Sequence, residues 1–207
     1  MAVEADRLTR ADGALGTQIE LLVLAVGGGA LAAVDMSTGG LVRASLPADT
    51  QLAPYDVASA CVGDGLVWDP AQPEAIDLTG PIAVQSRLRG RKAERCVRPL
   101  LHPVDEPILG LVSVAAPYWT LCGDRPSLAV VDPGSPLEII RHGRRLHCFF
   151  HWRGNVLDLP IVDRRVSISM AQRGQQNLRI RRRFVVALTP PHKGNCYKVI
   201  AGLLPRG

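Results

Sequence analysis

The chain has 207 residues, of which 47% are apolar and 21% charged, and a formal net charge of +5. This composition excludes a disordered polyelectrolyte and allows a buried core in one large domain, or in two of roughly 100 residues each. The charge is unevenly spread, with residues 1–80 summing to −8 and residues 81–207 to +13, so a polyanion, an acidic protein surface or attraction between the two halves is expected.

In chain order, residues 1–12 are mostly polar and acidic and form a lead-in without the features of a signal peptide. Apolar runs at 19–26 and 30–35 flank Gly27-Gly28-Gly29, which predicts a hairpin. A third strand at 41–46 follows Ser37-Thr38-Gly39-Gly40. Further strands are predicted at 65–68 and 82–88. Prolines clustered in 99–107 mark a soft boundary between an acidic β region (1–98) and a basic β region (108–207), which form either two small domains or one. In the second region strands are predicted at 108–115, 127–131 and 137–140. The 146–152 strand turns at Arg153-Gly154-Asn155 into 156–161. The 183–188 strand turns through 190–195 into 196–203. One helix is predicted at 169–178, with Gly174 interrupting it. The 16 prolines and 20 glycines leave little room for longer helices. The expected fold class is therefore mainly β, an antiparallel barrel or sandwich.

The longest apolar run, 21–34, is broken by three glycines and is too short to cross a bilayer. Five cysteines with no metal-ligand spacing, and no secretory leader, point to a reducing cytoplasm and no membrane partner. No HExxH, GxSxG, Walker or GxGxxG pattern is present, so no catalytic residue, metal or cofactor is assigned.

Binding chemistry concentrates in the arginines, since Lys92, Lys193 and Lys198 are the only lysines. A guanidinium is planar and pairs with phosphate in a bidentate manner. Four clusters fall at 87–92, 141–145, 164–165 and 179–183. If the first and last are strands, Arg87, Arg89 and Arg91 line one face, and Arg179, Arg181 and Arg183 line another. Each row would have the roughly 6.6 Å spacing of successive phosphates in an extended chain. Alternation along 146–152 places Cys148, Phe150 and Trp152 in the core and His147, Phe149 and His151 outward. Those outward rings lie among Arg144, Arg145 and Arg153, an arrangement suited to base stacking. His147 and His151 would be roughly 13 Å apart on a strand, too far to share a metal ion. The expected function is non-catalytic binding of RNA or single-stranded DNA.

A second reading rests on Asp35-Met36-Ser37-Thr38-Gly39-Gly40, which resembles the DxSxxG motif of PilZ domains. That resemblance implies a small β-barrel binding cyclic di-GMP, with Asp35 and Ser37 on a guanine and Gly40 permitting the turn. The family's upstream RxxxR pair would correspond to Arg7 and Arg10, which are one residue too close together. A third expectation is an assembly subunit that docks an acidic protein partner.

Overall fold

The computed structural model describes residues 16–47, 50–65, 69–123 and 125–205. The first half builds a five-stranded sheet from β1 (Gln18–Gly27), β2 (Ala30–Asp35), β3 (Leu41–Ser45), β4 (Asp56–Val62) and β5 (Leu78–Arg87), in the order β3-β2-β1-β4-β5. All its neighbours are antiparallel. The β1–β2 hairpin closes with Gly27 opposite Ala30, and the two residues between them, Gly28 and Gly29, have φ of 62° and 78°. A two-residue turn of matching twist needs this conformation, which is why glycines occupy both positions. β1 is central, and Leu21, Leu22, Val23 and Leu24 are all fully buried, so both of its faces are covered.

The rest of the chain adds helix α1 (Gly90–Val97) and the short strand β6 (Ala115–Pro117). It continues with β7 (Leu128–Val131), β8 (Leu137–His142), β9 (Arg145–Trp152) and β10 (Asn155–Ile161). Helix α2 (Arg164–Gln172), β11 (Asn177–Ile180), β12 (Phe184–Leu188) and β13 (Asn195–Leu203) complete it. These strands form a second sheet in the order β11-β8-β9-β10-β13-β12-β7, with β6 paired to β13. Its β10–β13 neighbours are parallel. The sheets do not close into a barrel but stack as a sandwich, and the fold is mainly β, as expected from the sequence.

Leu22, Leu24 and Val34 of the first sheet share one core with Val130, Val185 and Val199 of the second. Residues of the acidic and basic halves thus meet in the same apolar layer, where each fully buried side chain contributes roughly 1.5–3 kcal/mol. The two sheets come close together at Gly202, where an added Cβ would lie 2.7 Å from Ala25 Cβ. The other face of the second sheet buries Phe150 edge-on to Phe184, with centroids 4.9 Å apart, and is covered by Val166 and Met170 of α2.

Several predicted elements differ from the fold. β4 was not expected, because its sequence DVASACV is too rich in small residues to stand out. Residues 108–115 are not a strand. Ile108–Gly110 forms a 3-10 turn with Leu109 at φ 59°, and pairing begins only at Ala115. The helix lies five residues before its predicted start, because buried Asp163 accepts from the Arg165 N–H at 3.0 Å and caps it. Gly174 at φ 62° follows its end, and 177–180 is the strand β11. Of the predicted strand at 65–68, residues 66–68 lie outside the described residues.

Candidate nucleic-acid interface

Gly90, at φ 50°, turns the chain out of β5 and into α1. Ala93 and Val97 bury one side of this helix in the intersheet core. Arg91, Arg95 and the adjoining Arg98 recur at three- and four-residue intervals, form the opposite stripe and are exposed. The link between β11 and β12 passes beside this helix. Together they enclose a cleft of about 430 Å³, lined by Arg91 and Glu94 from α1, Arg181, Arg182 and Arg183 from the link, and Asp132 after β7. Tyr55 also lines it and is held at φ 73° by its N–H bonding to Val23 O (2.7 Å) and its hydroxyl donating to Pro205 O (3.2 Å).

Arg183 fastens the cleft. It donates to Glu94 Oε2 at 2.6 Å and to Asp132 Oδ2 at 2.8 Å, and these bonds raise its pKa above the usual value. Burial pushes the Asp132 carboxyl up, but the bonds from Arg183 and the Gly134 N–H outweigh it and leave the pKa lowered. Among the described residues, no carboxylate lies within ion-pair distance of Arg89, Arg91, Arg95, Arg98, Arg181 or Arg182.

The two predicted arginine rows do not form. Arg87 ends β5 and donates to buried Asp56 Oδ1 at 2.5 Å, Arg89 is the residue preceding α1, and Arg91 is helical. Desolvation would raise the Asp56 carboxyl, but the bonds from Arg87 and the Ala53 N–H overcome it and lower the pKa. Arg179 lies on β11 opposite Glu138, whereas Arg181 and Arg183 lie past the strand's end. The strand alternation assumed for these residues stops at Arg87 and at Ile180. Arg144 sits in the β8–β9 turn, with Arg145 beginning β9. Strand register puts both at the opposite end of the sheet from Arg181. Arg153, at φ 51° in the β9–β10 turn, is at the same end as Arg181.

On β9 the expected alternation holds: Leu146, Cys148, Phe150 and Trp152 are buried, while His147 and Phe149 are half-exposed and His151 is exposed. Register then adds what the sequence did not show. Glu138 of β8 and Asp158 of β10 flank Phe149 directly. His147 Nδ1 lies 2.8 Å from Asp158 Oδ1, and the His142 ring meets His147 edge-on at 5.5 Å. This outer face is therefore mixed in charge. Asp132, Asp158 and Asp163 serve Arg183, His147 and the α2 cap respectively.

Asp35 is buried, and its Oδ1 accepts from Ser37 N (2.8 Å) and Ser37 Oγ (2.7 Å), while Asp35 N donates to Gly40 O (2.9 Å). All three PilZ-like residues are thus engaged in the β2–β3 turn. Arg7 and Arg10 lie outside the described residues.

Arg95 and Arg98 were not among the predicted binding residues, nor was Arg182. The signal for the first two is present in the sequence, since 91, 95 and 98 follow helical spacing after a glycine, but strand alternation was considered only for 87–92 and no element was assigned to 93–98. Compared with protein-family models, curated proteins and solved structures, the chain matches none.

Proposed function

We propose that the protein binds single-stranded nucleic acid without catalysis, through phosphate contacts in the arginine cleft and along the outer stripe of α1. The observation that carries this reading is convergence. Arg91 of one arginine cluster meets Arg181, Arg182 and Arg183 of another about 90 residues away in one cleft, and Arg91, Arg181 and Arg182 have no carboxylate partner among the described residues. Uncompensated guanidinium groups repel one another, and a phosphodiester chain relieves that repulsion while releasing its counterions. The mixed face around Phe149 gives weaker support to base stacking, because Glu138 and Asp158 oppose an approaching phosphate backbone.

Fluorescence anisotropy with a labelled single strand of about 12 nucleotides, within the usual site sizes, tests the reading. Replacing Arg91, Arg181 and Arg182 together with Gln is expected to weaken binding tenfold or more for every sequence. The Arg144→Gln, Arg145→Gln pair, at the other end of the sheet, should change it less than twofold. No binding by the unmodified protein at about 50 mM salt, or an equal loss in both variants, would overturn the assignment.

A further inference from the structure

A second cavity lies between the sheets, away from the arginine cleft, and holds about 390 Å³. This is a size typical of small-molecule sites. It is bounded by the Gly27-Gly28-Gly29 turn, by β3, by a strap at 72–77, and by the end of β12 with the middle of β13 beside it. The strap is laid along β3 by Arg43 N donating to Glu74 O (2.9 Å) and Ile76 N donating to Arg43 O (2.8 Å). Most of the wall is aliphatic, including Leu31, Leu128, Leu188 and Val199.

Arg43 is part of that wall. The residue is only 9% exposed, and its Nη1 has no hydrogen-bond partner among the described residues. An unpaired guanidinium in an apolar interior is costly, and burial holds its pKa below the usual value despite the opposing fields of Glu74 and Asp69. The carboxylate that could have paired with it is otherwise engaged. Glu74 accepts from Ser127 N (2.6 Å), Ser127 Oγ (2.5 Å) and Leu128 N (3.3 Å). Asp77, also on the wall, has its Oδ2 packed where a side chain on Gly63 or Gly65 would sit.

We propose that this cavity binds a small amphipathic monocarboxylate, with its apolar body against the aliphatic walls and its carboxylate against Arg43. One guanidinium calls for a single negative charge. The nearby Glu74 and Asp69 carboxylates disfavour a dianion such as phosphate. The aliphatic lining disfavours a ligand that is polar throughout.

Isothermal titration with decanoate, kept below its micelle-forming concentration, tests this, with decanol and inorganic phosphate as comparisons. Saturable one-site binding of decanoate is expected, at least tenfold tighter than that of decanol, and none of phosphate. Arg43→Met keeps the packing and removes the charge, and should weaken decanoate at least tenfold. Ala30→Leu, at the half-exposed rim, should also weaken it by filling space. The triple Gln variant at Arg91, Arg181 and Arg182 should leave it unchanged. If Arg43→Met does not fold, the decanoate-to-decanol ratio and the Ala30→Leu variant decide the question. Absence of saturable binding, equal affinity for decanol, full affinity in folded Arg43→Met or Ala30→Leu, or loss in the triple variant would overturn the assignment.

Discussion

Lys198 enters the interior between Cys196 and Ile200 on β13, and its Nζ donates to Leu111 O at 2.5 Å. Burial lowers its pKa to about 8, against about 10.4 in an unfolded chain. Between those values the unfolded chain holds a proton that the folded chain has released, so this group makes the fold more stable as pH rises from about 8 to about 10.4. Cys148 acts in the opposite direction. Burial pushes its thiol up to about 12, and the unfolded thiol ionises near 8.5, so its contribution falls over that interval. The two can be separated by comparing urea unfolding of the unmodified protein and of Lys198→Met across this range. The difference in stability should shift toward the unmodified protein as pH rises above about 8. A pH-independent difference would show that the amine is not desolvated in the fold.

At the scale of elements, β13 organises the sandwich. It pairs with β10, β12 and β6 within its own sheet and packs on β1 of the other. Gly202 permits that packing, since a Cβ there would lie 2.7 Å from Ala25 Cβ and 3.3 Å from Ala25 Cα. Gly202→Ala should therefore destabilise the protein by about 1–3 kcal/mol through overpacking, read as a lower urea midpoint. An unchanged midpoint would mean that the sheets can separate slightly at no cost. Elements with a clear hydrophobic signal were legible in the sequence: the β1–β2 hairpin with its glycines, the β9–β10 hairpin, and the inward set Cys148, Phe150 and Trp152. β4 was hidden because alanine and serine give little contrast between faces, although neighbouring strands bury it. α1 was hidden because eight residues with one leading glycine can be read at either period. In the candidate site, the sequence showed which clusters are basic but not which arginines are spent on carboxylates. Arg87 and Arg183 find Asp56, Glu94 and Asp132 only through the fold.

Over the whole molecule, the Arg–carboxylate ion pairs among the described residues lie mostly within the basic half. Arg87 pairs with Asp56 across the division, but Arg165 pairs with Asp163, and Arg183 with Glu94 and Asp132, inside the basic half. What remains is a set of exposed guanidinium groups on α1 and beside the cleft, positioned by the Arg183 clamp. Single-strand binding through such groups loses about 0.7 in the slope of log affinity against log salt for each phosphate contact removed. The most direct test is that slope for a single-stranded oligonucleotide, measured for the unmodified protein and for the variant with Gln at Arg91, Arg181 and Arg182. A steep negative slope that becomes shallower by about 2 in the variant is the predicted result. A slope near zero in the unmodified protein, or the same slope in both, would contradict phosphate binding in this cleft.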